Sequence, residues 1–226
     1  MIYMNKSIIV AIDETNEGSL KKIINSLDND LCMLKIGSVS FNALGHNPIL
    51  YAAEKGFDIF LDLKLHDIPN TVHNSILGLI SLPISMMTIH ASGGLEMMKA
   101  AKKAVKDTNI MIFGVTALTS LSNQDTLKIY KRTAVNQVET MLDLAEDAKI
   151  DGVVCSPHEL ELVVPRKSLQ SITPGIRLSE TSDDQSRVMT PKEAISKGAN
   201  YIVIGRPITN ASNANKALNE IYESIQ

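Results

Sequence analysis

Residues 57–71 read FDIFLDLKLHDIPNT and join an apolar strand, predicted over 57–63, to the start of a helix. Side chains alternate between the two faces of a strand, so Asp62 and Lys64 are predicted to point the same way. Opposite charges at the end of an apolar strand are costly to desolvate unless they pair. Pro69 disfavours helix before it and favours a helix that begins at it, which leaves Asp67 in the turn. The stretch therefore predicts a strand, a charged turn and a helix in succession.

This strand-then-helix unit recurs along the chain. Short apolar runs predict strands at 8–12, 32–36, 57–63, 84–89, 110–115, 152–155, 169–172 and 201–204. Apolar residues three and four apart, typical of amphipathic helices, recur at Leu20, Ile23, Ile24 and Leu27, at Val135, Val138, Met141, Leu142 and Ala145, and at Leu218, Ile221, Tyr222 and Ile225. Eight such units without a linker predict the α/β class, with residues 1–226 forming a single (β/α)8 TIM barrel domain. The alternative is an open doubly wound sheet, but no G-x-G-x-x-G follows the first strand.

Composition limits the possible partners. The 226 residues are 44% hydrophobic and 21% charged, which suits a sizeable core, and the net charge is −3. The lack of a basic excess argues against nucleic acid or an anionic membrane as the partner. Cys32 and Cys155 lie alone in apolar runs, as expected for reduced core residues of a cytoplasmic protein. No signal peptide is recognised, and the uncharged stretch 68–95 is interrupted by proline, asparagine and histidine, which argues against a membrane span.

Polar residues cluster where the predicted strands end. The active site of such a barrel lies at the C-terminal ends of its strands, and the loops after strands seven and eight often hold a phosphate. Gly205 allows a close approach of the backbone to an anion, and Arg206 supplies a fork of donors. The residues at strand ends are Asp13, Lys35, Asp62, Lys64, His90, Thr119, Arg177, Gly205 and Arg206. They predict a site for a small phosphorylated molecule.

Two other polar groups receive no catalytic assignment. The five histidines show no spacing typical of a metal site, and His90 either lines the site or has a structural role. Lys99, Lys102, Lys103 and Lys106 lie opposite an apolar helix face and are interpreted as a solvated surface.

Five motifs together resemble the orotidine 5′-phosphate decarboxylases of the bacterial type. They are D-x-K-x-x-D-I-P-N-T at 62–71, T-I-H-A-S-G-G at 88–94, T-P-G-I-R at 173–177, D-Q-x-R-x-M-T-P at 184–191 and I-G-R-P-I-T at 204–209. The first motif alone is shared with other decarboxylases and aldolases of the same barrel superfamily, whereas all five in this order are specific. The chain departs from the pattern at Leu178, where relatives commonly have proline.

The resemblance implies loss of carbon dioxide from C6 of orotidine 5′-phosphate, giving uridine 5′-monophosphate, the last step of its biosynthesis, with no metal or organic cofactor. It implies that Lys64 donates the proton to C6. The implied charge array is Lys35, Asp62, Lys64 and Asp67, with Asp67 supplied by the partner subunit of a homodimer. The implied substrate contacts are Asp13, Lys35 and Thr71 at the ribose, Thr119 near the pyrimidine, Arg177, Gln185, Gly205 and Arg206 at the phosphate, and Asp62, Lys64, Asp67, Ile68 and Asn70 around them.

Two other functions are compatible with parts of the sequence. A magnesium-dependent sugar-phosphate decarboxylase or aldolase of the same superfamily holds its metal partly with an acidic residue where this chain has Lys35, and a cation there repels the metal. A non-catalytic barrel that binds a phosphorylated ligand needs the Arg206 end of the site. Such a barrel does not need a buried charge array, and the desolvation of that array costs free energy without an evident structural benefit.

Overall fold

A computed structural model describes residues 6–177 and 189–226. In these residues eight parallel strands close into a barrel in the order β1 to β8, with β8 paired back to β1. The strands are β1 (Ile8–Ile12), β2 (Cys32–Gly37), β3 (Ile59–Leu65), β4 (Met86–His90), β5 (Met111–Val115), β6 (Gly152–Val154), β7 (Gln170–Thr173) and β8 (Tyr201–Ile204). The helices are α1 (Glu17–Asn25), α2 (Ser38–Leu44), α3 (Asn47–Glu54), α4 (Pro69–Leu77), α5 (Leu95–Ala104), α6 (Asn123–Tyr130), α7 (Ala134–Ala148), α8 (Leu160–Val163), α9 (Pro191–Ser196), α10 (Arg206–Thr209) and α11 (Ala214–Ser224). The predicted TIM barrel is confirmed, and the open sheet is excluded.

The barrel interior is a packed core. Alternate residues of each strand face inward, so Ile9 and Ala11 of β1 lie inside while Ile8, Val10 and Ile12 pack against the surrounding helices. The inner cluster joins β1 to β8 through Ile9, Ala11, Met33, Phe60, Met86, Phe113, Ile172, Tyr201 and Val203. This apolar plug leaves room for polar side chains only near the ends of the barrel.

The helices cover the barrel much as the apolar stripes predict. Leu20 and Ile24 of α1 and Leu218 and Ile221 of α11 are buried against the strands. Val135 is an exception: it is 52% exposed, because it lies beside the buried face of α7, to which Ala134 and Val138 belong. None of the described helices is long and apolar enough to cross a membrane.

The lysine face of α5 is less uniform than predicted. Lys102 reaches Asp151, at 2.6 Å from its carboxylate, and Asp151 also accepts a hydrogen bond from the Ile112 amide of β5. The interpretation of Lys102 as simply solvated is therefore wrong. Its ammonium joins α5 to the loop that enters β6.

The strand that contains Asp62 is irregular. Strand β3 begins two residues later than predicted and continues to Leu65. Its register with β4 shifts, since Leu61 pairs with Met87 but Leu65 pairs with Ile89. Lys64 has φ 52°, in the left-handed region that residues other than glycine rarely adopt. The predicted regular alternation through Lys64 is therefore wrong, although Asp62 and Lys64 do come together.

Candidate active site

A cavity of about 320 Å³ opens at the C-terminal ends of the strands. Its lining includes Asp13, Lys35, Asp62, Lys64, Thr119, Arg177, Gly205 and Arg206. Apolar side chains from the top of the inner core, among them Phe60, Ile172 and Val203, form its floor. The site residues predicted from β1, β2, β3, β5, β7 and β8 are thus brought to one place.

A larger cavity of about 880 Å³ lies at the opposite end of the barrel. The carboxylates around it are engaged in ion pairs: Asp58 with Lys6, Asp151 with Lys102, and Glu146 with Arg166. These pairs join neighbouring elements of the chain. In barrels of this kind the N-terminal end serves stability and the C-terminal end serves chemistry, so we assign the chemistry to the smaller cavity.

Two ammonium groups meet at the Asp62 carboxylate. The Lys64 ammonium lies 2.7 Å from Asp62 Oδ2, and the Lys35 ammonium lies 3.4 Å from the same oxygen. Lys35 Nζ is also 3.5 Å from Asp13 Oδ1, which extends the array to β1. Asp62 is almost fully buried, whereas the Lys64 side chain is 36% exposed to the cavity. The structure therefore presents one ammonium to a bound ligand and fixes it from behind with a carboxylate.

The other Asp62 oxygen is also held. The Thr88 hydroxyl donates to Asp62 Oδ1 at 2.9 Å, and the same hydroxyl oxygen accepts a hydrogen bond from the Lys64 amide at 2.9 Å. Thr88 lies on β4 and is fully buried. Thr88 opens the T-I-H-A-S-G-G motif but received no role from the sequence. In the sequence Thr88 is a hydroxyl residue on β4, the strand next to β3 with its charged residues. Spacing alone does not distinguish it from an ordinary threonine of the core.

The electrostatics of Asp62 favour its ionised form. Burial alone raises the pKa of Asp62, but the positive charges of Lys35 and Lys64 and the hydrogen bonds from Lys64 and Thr88 outweigh it. The net pKa of Asp62 lies below its usual value. Near neutral pH the array therefore contains a carboxylate between two ammonium groups.

The far side of the cavity is suited to an anion. Gly205 is the residue before α10, and Arg206 begins that helix. The Arg177 amide donates to the Met189 carbonyl at 3.0 Å, which sets the chain beside β7. Arg177 Nε is buried and has no hydrogen-bond acceptor among the described residues. Two arginines and a helix start at one wall form a favourable field for phosphate.

Four predicted site residues do not line the cavity within one chain. Asp67, Ile68, Asn70 and Thr71 are exposed at the start of α4, and Ile68 is 66% exposed. The Asp67 carboxylate accepts a hydrogen bond from the Ile68 amide at 2.7 Å. Gln185 and Leu178 lie outside the described residues.

His90 is half-buried behind the array. Its ring lies 5.2 Å from that of His66, centroid to centroid, and His90 does not line the cavity. Burial, followed by the nearby His66 and Lys64, lowers the pKa of His90. Its position fits the structural role rather than contact with a ligand.

Comparison with known proteins identifies the family of the chain. The model of the orotidine 5′-phosphate decarboxylase / HUMPS family matches residues 6–221. The orotidine 5′-phosphate decarboxylase of Actinobacillus succinogenes is 44% identical over 98% of this chain and 99% of its own, and that of Mannheimia succiniciproducens is 44% identical over 98% of each. The crystal structure of the Lactobacillus acidophilus enzyme of the same name is 36% identical, covers 98% of this chain and 100% of its own, and has a TM-score of 0.83. With a closed barrel, a family match over residues 6–221 and relatives 44% identical over nearly the whole chain, the chain belongs to the orotidine 5′-phosphate decarboxylase / HUMPS family.

Proposed function

We propose that this chain decarboxylates orotidine 5′-phosphate to uridine 5′-monophosphate and carbon dioxide, and that residues 1–226 act as one catalytic domain. The observation that supports this activity most directly is the charge array, in which Asp62 Oδ2 lies 3.4 Å from Lys35 Nζ and 2.7 Å from Lys64 Nζ. The array lines the same cavity as Arg177 and Arg206. A phosphorylated substrate held at the arginine wall places its ring over the array. The named relatives support the same activity.

The chemistry requires a fixed positive charge next to C6. When the bond between C6 and the carboxylate breaks, carbon dioxide leaves and the electron pair stays on C6. The Lys64 ammonium is already oriented by Asp62 at 2.7 Å, so it stabilises that charge with little reorganisation. It then transfers a proton to C6 and is reprotonated from solvent. Neither step requires a metal or an organic cofactor.

The remaining residues bind the substrate. In this proposal Asp13, Lys35 and Thr71 contact the ribose, and Thr119 lies near the pyrimidine. Arg177, Gln185, Gly205 and Arg206 hold the phosphate, and Ile68 and Asn70 lie beside Asp67 at the edge of the site. Phosphate binding contributes to catalysis because it keeps the ring in register with Lys64.

The proposed working unit is a homodimer in which each active site is shared. Asp67 completes the array only if it comes from the partner subunit, since within its own chain it is exposed outside the cavity. Ile68, just before α4, at 66% exposure and Leu77, at the end of α4, at 44% add apolar surface that a second copy can cover. We place the enzyme in the cytoplasm, which accords with two free, buried cysteines.

The test is the loss of orotidine 5′-phosphate absorbance, with release of carbon dioxide as a second readout. Wild-type protein should consume the substrate, and Lys64→Ala should not. The matched control is Lys103→Ala, which removes an exposed lysine of α5 and should leave the rate unchanged. A wild-type protein that binds the substrate but leaves it intact would identify a non-catalytic phosphate-binding barrel instead.

A second candidate is a magnesium-dependent sugar-phosphate enzyme, because the matched family description also includes the HUMPS group. Lys35, 3.4 Å from Asp62, disfavours it, since an ammonium there competes with a divalent cation for the same carboxylate. Exhaustive chelation should leave decarboxylation unchanged. A rate lost on chelation and restored by magnesium would favour the second candidate.

A further inference from the structure

Thr88 connects the two charged residues of β3 through one hydroxyl group. Its oxygen accepts from the Lys64 amide and its proton goes to Asp62 Oδ1, both at 2.9 Å. The residue is fully buried on β4, so no solvent molecule competes for either bond. A hydroxyl can donate only one hydrogen bond. Because the Thr88 oxygen already accepts from the Lys64 amide, its proton forms the hydrogen bond to Asp62.

The hydroxyl takes the place of a missing backbone contact. Leu61 pairs with Met87 and Leu65 pairs with Ile89, so residues 62–64 of β3 lie opposite the single residue Thr88. The regular ladder therefore offers no carbonyl to the Lys64 amide at this point, and Lys64 itself is left-handed at φ 52°. A buried amide without a partner is unfavourable, so the hydroxyl stabilises the turn of the backbone that directs Lys64 into the cavity.

The same group fixes the carboxylate. With Oδ1 held by Thr88, the plane of the Asp62 carboxylate is set and Oδ2 points at the ammonium groups of Lys64 and Lys35. We propose that Thr88 is a positioning residue for the decarboxylation, acting through Asp62 and through the backbone of Lys64 without touching the substrate. This inference rests on the proposed function and adds to it a residue that sets the geometry of the array.

The decisive pair of variants is Thr88→Val, which keeps the shape but removes the hydroxyl, and Thr88→Ser, which keeps the hydroxyl. In Thr88→Val we expect kcat to fall roughly ten- to a hundredfold, as happens when the hydrogen-bond partners that orient metal ligands are removed. KM should change little because the phosphate and ribose contacts are intact. Thr88→Ser should recover most of kcat.

Thr108→Val is the matched control. The Thr108 hydroxyl also accepts a hydrogen bond from an amide, that of Ile110 at 3.1 Å, and donates one to an oxygen, the Val105 carbonyl at 2.9 Å. Thr108, however, lies before β5, at the opposite end of the barrel from the site. Its loss should lower thermal stability without lowering kcat. The proposal is overturned if Thr88→Val keeps wild-type kcat, if it changes KM alone, or if Thr108→Val loses as much kcat.

A structural readout separates this proposal from the proposed function. In a crystal structure of unliganded Thr88→Val we expect the Asp62 carboxylate to rotate and Lys64 to leave the left-handed region. An unchanged array would overturn the positioning role even if the wild type is active. If the wild type does not decarboxylate orotidine 5′-phosphate, the proposed function fails and this readout still tests Thr88. Should Thr88→Val not fold, Thr88→Ala removes the same hydroxyl with a smaller side chain, and wild-type kcat in that variant would overturn the proposal.

Discussion

Asp62 shows how much of the site depends on one buried charge. It lies within 3.4 Å of two ammonium groups, and it accepts the Thr88 hydroxyl. Removal of its charge takes from Lys64 its carboxylate partner and leaves Lys35 with Asp13, at 3.5 Å. Asp62 therefore contributes to stability as well as to chemistry.

Substitution Asp62→Asn tests this contribution through pH. The pKa of Asp62 is lowered in the folded protein, so its stabilisation is present above the unfolded pKa of about 3.9 and is lost as pH falls through the folded value below that. At pH 7 we expect the variant to be less stable by about 1.5–3 kcal/mol, the usual value of hydrogen bonds to a charged group. Denaturant unfolding at neutral and at acidic pH measures the difference, which should shrink below about pH 4.

The control for this experiment is Asp107→Asn, which alters an exposed carboxylate. It should leave the free energy of unfolding nearly unchanged at each pH. A difference for Asp62→Asn that is as large in acid as at neutral pH would show that the charge is not its source.

Substitution of Arg206 tests how much the binding energy at the substrate phosphate contributes to catalysis. Arg206→Ala should lower kcat/KM by one to two orders of magnitude, about 1.5–3 kcal/mol for a charge-assisted contact, although the side chain reaches no reacting atom. Arg132→Ala, at an exposed arginine between α6 and α7, is the control and should keep kcat/KM. Steady-state kinetics over a range of substrate concentrations distinguish the two. A near-normal value for Arg206→Ala would make Gly205–Arg206 a simple turn.

Among the elements, the presence of each strand was easier to predict than the residues at which it begins and ends. Strands β1 and β8 have the predicted bounds because each is a short apolar run between polar residues. Strand β3 differs, since its start is set by pairing with β2 and its end by the shifted register with β4, which are tertiary effects. The left-handed Lys64 and the role of Thr88 could not be predicted for the same reason. Residues at strand ends, such as Asp13 and Thr119, were predictable because the closed barrel brings those ends together.

Strand β6 is the shortest strand and depends on a glycine. A Cβ at Gly152 would lie 2.3 Å from the Gln170 carbonyl and 2.5 Å from the Phe113 ring, so neighbouring backbone must move. Gly152→Ala should therefore lower the free energy of unfolding by about 1–3 kcal/mol or more, the usual cost of overpacking. In the control Gly78→Ala the nearest atom is 3.4 Å away, and stability should change by less than about 0.5 kcal/mol. Equal denaturation midpoints would show that β6 can shift without cost.

At the scale of the whole molecule, the barrel is complete within one chain, but the proposed active site needs Asp67 from a second chain. Over the described residues β8 pairs with β1, so their sheet has no free edge to pair with another chain. In the proposed homodimer we therefore expect the contact between copies to use side chains of α4 and of the turn before it, where Asp67 and Ile68 are exposed.

Mixed dimers test the shared site. Lys64→Ala and Asp67→Ala, each inactive alone, are unfolded together and refolded as a mixture. Because a mixed dimer combines both lesions in one site and leaves the other intact, and random pairing makes about half the dimers mixed, roughly a quarter of wild-type activity should return. The control mixture, Lys64→Ala with Asp62→Ala, should stay inactive because these two residues meet within one chain at 2.7 Å. No recovery in the first mixture, with subunit exchange confirmed, would place Asp67 in its own barrel.

The hydrogen bond from the Lys64 amide to the Thr88 hydroxyl also determines how that amide proton exchanges with solvent deuterium. Amides in the barrel ladder are bonded to backbone carbonyls and are released only when strands separate. We expect rotation of the Thr88 side chain to release the Lys64 amide while the strands stay paired. The exchange rate of this amide should then report the opening of the site, whereas the rates of its ladder neighbours report the opening of the barrel.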